Sequence, residues 1–440
     1  MKRIGMALAA IALLGGCSML GGKGKKKTTP TIGQRIAVLG GEVSIEVDPA
    51  LAGTPVVIPA AATNADWAQP GGNAAHSMTH VTLGNSLGLA WRADIGTGSS
   101  DKARLAAAPV VGGGKVYTID TQGIVRAFNP ENGAVAWQTQ VRGEGASAQT
   151  LFGGGVSFDN GRVYATNGAG YAAALDAGNG SLVWQVRPGG PLRGAPTIAN
   201  DNVYVVSQDN QLYALNPADG AQRWTGAGTL EIAGVFGSGA PAAAQGTVIA
   251  GFSSGELNAY RYENGRVLWQ DALARTSFST TVTSLSDIDA APVVDSGRVY
   301  AVGQGGRMVA LELVTGQRVW EINVAGISTP WVACDWIFVV TDDAKLLAIA
   351  RSTGKVRWMT QLTRWRDAKD KKGPISWVGP ILAGDRLVLA NSLGQLVNVS
   401  PADGAVQSTV DTKAPITLSP IVANNILYVL HDNGSLTAWR

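Results

Sequence analysis

Short runs in which apolar and polar residues alternate dominate the chain after residue 87. Typical runs are KVYTID (115–120) and NVYVVS (202–207), and Gly, Asn or Asp residues separate them from the next run. A period of two is typical of half-buried β-strands, and such residues between runs favour tight turns. The pattern predicts an all-β protein built from many short antiparallel strands.

A unit of about 44 residues repeats along this region and contains four such runs. It usually opens with a small residue and Pro, and in six copies a Gly stands four positions before a Trp. Seven full copies begin at positions 108, 153, 195, 240, 291, 329 and 379. A period of ~40–45 residues with four strands is typical of a β-propeller blade.

The last copy, residues 419–440, has room for only three strands. The segment LGLAWR (87–92) is similar to the end of a repeat and supplies a candidate for the fourth. If the two pair, N- and C-terminal strands complete one blade, and the two open sheet edges are hidden. The sequence therefore predicts an eight-bladed β-propeller over residues 87–440, with four-stranded antiparallel blades.

The periodic tryptophans are predicted to be structural. The Gly before each Trp suits a tight turn that needs positive φ, and an indole at a fixed place can fill the gap between neighbouring blades. This assigns a docking role to seven residues: Trp91, Trp137, Trp184, Trp224, Trp269, Trp320 and Trp358.

The N-terminus is similar to a bacterial lipoprotein signal. Lys2 and Arg3 precede an uncharged stretch of eleven residues, which is too short to span a bilayer, and LGGC ends at Cys17. The resemblance implies a signal peptide over 1–16, a diacylglycerol on Cys17 and, with Ser18 next to it, the periplasmic side of the outer membrane. An ordinary signal peptide with an incidental cysteine is the alternative.

A basic tether is expected over residues 17–30, as a solvated linker or one attracted to anionic lipid. Residues 31–86 lack the repeat, and we expect them to wrap the propeller surface. With Cys17 acylated, Cys334 has no partner for a disulfide, and its apolar surroundings predict a buried, unreactive side chain.

Charge and motifs exclude several function classes. The formal net charge is +3, and six positive charges precede residue 28, so the remainder carries about −3. Such a body is a poor nucleic-acid binder. His76, His80 and His431 have no metal-ligand spacing, and surface or blade-edge contacts are expected for them. No cofactor, metal or catalytic residue is predicted.

The tryptophan-docking repeat resembles that of the quinoprotein (PQQ-repeat) propellers, a family that contains enzymes and non-enzymes. The resemblance to its enzymes would require a pair of adjacent cysteines, which this chain lacks. With the lipoprotein signal, the chain more closely resembles the BamB family, lipoprotein subunits of the β-barrel assembly (BAM) complex. The alternatives are a periplasmic PQQ-dependent dehydrogenase and a propeller that senses a ligand in its central funnel.

Two long connections carry the local resemblance to the BamB family. The segment LSDIDAAP (285–292) matches one family pattern, and Leu230, Ile232 and Gly234 match another. The resemblance implies that Leu230, Ile232, Asp287 and Asp289 bind the periplasmic POTRA region of BamA. Ala233 stands where the family often has a basic residue.

The residues themselves leave alternatives open. The apolar side chains either fold onto their own blade or meet a partner, and the aspartates either cap turns or face basic groups of a partner. A third connection, 359–378, is highly charged and is either solvated or a second contact surface. Unfolded outer-membrane protein precursors are possible further partners.

Overall fold

The structure is a computed structural model that describes residues 45–143, 147, 150–231, 239–273 and 286–440. The predicted signal peptide, Cys17 and the tether lie outside the described residues. The described part holds eight four-stranded antiparallel sheets, as the repeat predicts, so the eight-bladed propeller is confirmed.

Seven blades use four consecutive strands, hydrogen-bonded in chain order. Blades one to four contain β2 (Val110–Gly112), β3 (Lys115–Ile119), β4 (Ile124–Phe128) and β5 (Val135–Gln140); β6 (Val156–Asp159), β7 (Arg162–Thr166), β8 (Ala172–Asp176) and β9 (Leu182–Val186); β10 (Thr197–Ala199), β11 (Asn202–Val206), β12 (Gln211–Leu215) and β13 (Gln222–Ala227); and β14 (Ala242–Ala244), β15 (Thr247–Gly251), β16 (Glu256–Arg261) and β17 (Val267–Ala272).

Blades five to seven follow the same order. They contain β18 (Val293–Asp295), β19 (Arg298–Gly303), β20 (Arg307–Glu312) and β21 (Arg318–Ile322); β22 (Trp331–Ala333), β23 (Trp336–Val340), β24 (Lys345–Ala350) and β25 (Val356–Gln361); and β28 (Trp377–Ala383), β29 (Arg386–Asn391), β30 (Gln395–Val399) and β31 (Val406–Asp411). A small separate hairpin, β26 (Trp365–Asp367) and β27 (Lys372–Pro374), joins blades six and seven.

Blade eight is shared between the two ends of the chain. Its strands are β32 (Ile421–Ala423), β33 (Ile426–Leu430), β34 (Ser435–Trp439) and, from the N-terminal side, β1 (Leu89–Asp94). β1 pairs antiparallel with β34, with Trp91 opposite Ala438. The predicted closure of the ring is therefore confirmed.

The periodic tryptophans lie between blades. Each of the seven packs on the Gly in the turn before the fourth strand of the next blade; a Cβ on Gly133 would come within 2.6 Å of the Trp91 ring. Each indole N–H also donates to a backbone carbonyl of that next blade at 2.8–3.0 Å, as Trp269 does to Leu313. Indole and glycine thus fix the distance between neighbouring blades.

Residues 64–83, here called the axial segment, run once around the centre of the ring. The first strands of neighbouring blades contact each other, so they surround the axis. Asn64 bonds to blade eight, Trp67 to blade one, and the contacts then pass through the blades in order until Val81 bonds to blade seven at Leu382. Between these ends the segment meets blades two to six through Ala68, Gln69, Ala74, Ala75 and the carbonyl of Thr79.

The axial segment satisfies the inner edges of the first strands. Val111 and Trp67 exchange two backbone hydrogen bonds of 2.8 Å, and the Gln69 amide makes two of 2.9 Å with Ile198. Trp67 is buried and stacks on Trp331. Edge backbone groups left without partners inside a protein are costly, which explains why this segment stays at the centre. The sequence predicted that residues 31–86 wrap the propeller surface. Residues 31–44 lie outside the described residues, residues 45–54 follow the outside along β25, and the axial segment lies at the centre instead.

The expectation for Cys334 is wrong. Cys334 is exposed, because it occupies the turn between β22 and β23 with φ of 48°, where other blades have Gly, Asn, Gln or Ser. Of the two contacts expected for His76 and His80, the surface one is wrong: both are buried in the axial segment and contact blade edges, His76 through Nδ1 at the Pro292 carbonyl and His80 through Nε2 at the Asp385 N–H. Burial lowers the pKa of His76 to about 4.

Candidate partner-binding site

The two connections singled out from the sequence occupy equivalent places on adjacent blades. One runs from β13 in blade three to β14 in blade four, and the other from β17 in blade four to β18 in blade five. Both therefore leave a fourth strand and enter a first strand at the same end of the ring. Ile232, Ala233, Gly234 and Leu285 lie outside the described residues.

Leu230 is exposed to solvent over 67% of its surface, the second largest value among the apolar residues exposed in the described chain. The preceding residue, Thr229, is hydrogen-bonded to the side chains of two other residues. Its carbonyl accepts from the Asn210 side chain at 2.7 Å, and its hydroxyl donates to Glu256 at 2.8 Å. These bonds fix the backbone next to Leu230, and the leucine side chain lies largely in water. An apolar side chain in this position is accessible to a partner.

Asp287 and Asp289 lie inside the protein. Their side chains are 1% and 5% exposed, and both accept hydrogen bonds from one Arg193 nitrogen, Nη2, at 2.8 and 3.0 Å. Gln304 adds a bond from its side-chain amide to Asp289 at 3.1 Å and one from its backbone N–H to the carbonyl of Asp287 at 2.9 Å. Between the aspartates, Ile288 is buried against Gly251 of blade four.

The aspartates thus fasten the end of the second connection. Arg193 precedes the first strand of blade three, whereas Asp289 precedes that of blade five, so the ion pair reaches across blade four. Burial, followed by the nearby Asp287, raises the pKa of Asp289 to about 7, although Arg193 opposes the shift. At neutral pH the cluster therefore holds two carboxyl groups near one guanidinium, and Asp289 is close to its titration point.

Sequence reasoning missed Arg193. The only signal was a lone basic residue directly before the Gly-Ala-Pro that opens blade three (RGAP, 193–196). Its partners are 94 and 96 residues away, so no local pattern links them.

The charged connection 359–378 forms the β26–β27 hairpin. Most of its residues are exposed, and the Arg364 guanidinium lies over the Trp365 ring at 5.1 Å from the ring centre. This hairpin also joins a fourth strand to a first strand, so it lies at the same end of the ring as the two connections above.

Within the described ranges no three His, Cys, Asp or Glu side chains come together as a metal site. In the same residues no helix has the length and apolar character needed to cross a membrane.

The fold and its repeat define the class first. The chain is an eight-bladed propeller of the quinoprotein-like type, and its shape is similar to that of a europium-containing methanol dehydrogenase (TM-score 0.68, 14% identity, 83% of this chain and 89% of that one). It is also similar to the crystal structure of BamB from Moraxella catarrhalis (TM-score 0.63, 22% identity, 81% and 98%). At these identities the similarity shows the fold alone.

Sequence comparison then distinguishes between these two kinds of propeller protein. The family described as outer membrane protein assembly factor BamB matches residues 84–150 and 122–360. The chain is 27% identical over 355 residues to the outer membrane protein assembly factor BamB of Yersinia pestis (79% of this chain, 88% of that protein). It is 39% identical over 253 residues to that of Vibrio cholerae (57% and 64%). The chain therefore belongs to the BamB family of outer membrane protein assembly factors and is not an enzyme.

Proposed function

We propose that the protein acts as a non-catalytic subunit of the BAM complex, assists the assembly of β-barrel proteins into the outer membrane, and binds the POTRA region of BamA through its two long connections. Cys17 would carry the lipid anchor, and the propeller would face the periplasm, with residues 17–30 as its tether. Family membership supports the assembly role, and the exposed Leu230 supports the contact surface.

The observation that carries the binding site is the contrast between Leu230 and the Arg193 cluster. A solvent-exposed leucine on a fixed backbone suits the apolar centre of an interface, where few residues supply most of the binding energy. Asp287 and Asp289 suit a different task in the same site. They hold the end of the second connection, residues 286–290, in place, so that a partner meets a preformed backbone there.

The test is affinity purification of the full-length, membrane-anchored protein from detergent-solubilised outer membranes. Wild type is compared with Leu230→Asp and with Val314→Asp. Val314 is a matched control, because it is an exposed apolar residue in the turn after β20, away from both connections. We expect wild type and V314D to bring down a large β-barrel protein with POTRA domains, and L230D to lose most of it. Equal recovery with L230D would remove the proposed site, and no recovery with wild type would remove the proposed partner.

The anchor has its own test. Cys17→Ser should prevent lipid attachment and release the protein from the membrane fraction, measured by fractionation and by metabolic labelling with a radioactive fatty acid. An unchanged membrane fraction and unchanged labelling would contradict the assignment of Cys17.

A further inference from the structure

One outer blade edge is covered by the chain itself. On blade six, Val47 forms a parallel β-bridge with Val356, the first residue of the outermost strand β25, and the Asp48 N–H donates to the Val356 carbonyl at 2.8 Å. The Arg357 side chain then bonds to the carbonyl of Thr54 at 2.7 Å. Under this cover Val356 is only 5% exposed.

The position equivalent to Val356 holds an exposed apolar side chain on five other blades. In the blades with a docking Trp, this position lies two residues before that Trp. Blade seven lacks the Trp, and there the position lies two residues before Ser408, which pairs with Asn398. Each of these side chains is 44–54% exposed, about ten times the value for Val356. They are Leu89, Val135, Leu182, Val267 and Val406. Blades three and five have Gln222 and Arg318 there instead.

The segment on blade six shows what chemistry fits this place. Residues 44–48 read SIEVD, with apolar residues alternating with polar ones. Ile45 packs against the cluster that contains Val356, and Asp48 forms an ion pair with Lys355 at 2.7 Å. Pro49 ends the extended stretch. An extended strand with alternating apolar residues is therefore the occupant that this edge accepts.

The geometry of the edge limits how strongly it binds. Every fourth strand has a β-bulge or register shift next to this position, as at Ala127/Phe128 opposite Val135. Bulges shorten the stretch that a new strand can pair with, and proteins use them to avoid uncontrolled edge pairing. Such an edge suits short, reversible contacts, and several edges around one ring increase the overall affinity by multivalency.

We propose that the outer edges of blades one, two, four, seven and eight bind extended, alternating segments of unfolded polypeptide, in the way residues 45–48 bind blade six. Strands of outer-membrane barrels have this alternating pattern. The inference deepens the proposed function and rests on it for the identity of the bound chain, a barrel precursor that has not yet folded.

The experiment measures binding of a fluorescent synthetic peptide with the sequence of residues 42–48 to the full mature protein, by anisotropy. The test variant is Val135→Asp/Leu182→Asp/Val267→Asp, and the control is Ile327→Asp, which changes an exposed isoleucine in the connection between β21 and β22, outside the proposed edges. We expect weak binding to wild type and I327D. The triple variant keeps two of the five proposed edges, so we expect about 2.5-fold less bound peptide at low peptide concentration. Equal binding to all three proteins, or no binding to wild type, would overturn the proposal.

A second measurement covers the case in which the triple variant folds poorly. A photo-crosslinking residue at position 182 of the otherwise wild-type protein should capture the peptide, and one at position 327 should not; equal capture at both would overturn the proposal. Purification of the barrel partner is measured in parallel. If the peptide binds but no barrel protein co-purifies with wild type, the proposed function fails and the edge site stands.

Discussion

Leu230 and the Asp287–Asp289 pair lie on connections that enter adjacent blades, and their surroundings are opposite. Leu230 is two-thirds exposed and is held only through its backbone neighbours, whereas the Asp287 side chain is 1% exposed and bonded to Arg193. A partner can contact Leu230 directly but can reach the aspartates only by displacing Arg193. Residues that a family resemblance groups into one binding set can thus divide into a contact residue and residues that hold the contact surface in shape.

The largest effect is expected when Arg193 is removed. In Arg193→Ala two buried carboxyl groups lose their shared cation, and breaking a buried ion pair costs about 3–5 kcal/mol of unfolding free energy. The control is Arg223→Ala, which removes a surface pair with Asp201 and should cost about 0–1 kcal/mol. Urea unfolding measures both. Equal small losses for the two variants would show that the aspartates do not depend on Arg193.

The sequence predicted the propeller because its signals recur. A Gly–Trp pair every 44 residues or so remains visible even though blade seven lacks the Trp. The Arg193 cluster and the axial segment could not be predicted in this way. Arg193 meets its partners across more than 90 residues. The axial segment bonds to the blades one after another through backbone groups and a few scattered side chains, with no period of its own. Cys334 was misassigned because the apolar run around it hides a turn.

The next effect depends on pH. The pKa of Asp289 is raised from 3.8 to about 7 in the folded state, so this group stabilises the fold below about pH 4, and that contribution is lost as the pH rises through 7. Asp289→Asn lacks this dependence. The unfolding free energy of wild type minus that of D289N should therefore fall between pH 4 and 7, by up to about 1.4 kcal/mol per pH unit.

The difference in unfolding free energy between wild type and D289N is the useful quantity, because the titration of His76 changes stability with pH in the opposite direction. Its pKa is lowered to about 4, so its contribution to stability grows as the pH rises towards 6.5. His76 is present in both proteins, and its contribution cancels in the difference. A difference that stays constant from pH 4 to 7 would contradict the raised pKa of Asp289.

A smaller loss is expected for Gln304→Ala. The substitution removes the 3.1 Å side-chain bond to Asp289 but keeps the backbone bond to Asp287 and the ion pair. One hydrogen bond to a charged group is worth about 1.5–3 kcal/mol, less if water replaces the amide. In thermal unfolding, the loss of stability for Gln304→Ala should therefore lie between the losses for Arg193→Ala and Arg223→Ala. A loss as large as that of Arg193→Ala would mean that Gln304, and not Arg193, chiefly holds the second connection.

The smallest effect on stability is expected at Leu230. Because its side chain is mostly in water, Leu230→Ala should change the unfolding free energy by about 0.5 kcal/mol or less. Ile288→Ala is the comparison, since Ile288 is buried on the second connection and its truncation should cost about 2–5 kcal/mol. Similar losses for the two variants would show that Leu230 packs on its own blade.

The central claim is that Leu230 touches the partner while the Arg193 cluster only holds the surface. The most direct measurement is a calorimetric titration of the soluble POTRA region of BamA into purified mature protein, with wild type, Leu230→Ala and Asp289→Asn. The account predicts that L230A weakens the affinity at least tenfold with an unchanged melting temperature, and that D289N, whose amide can still accept from Arg193, binds within threefold of wild type. Unchanged affinity for L230A together with a large loss for D289N would contradict it.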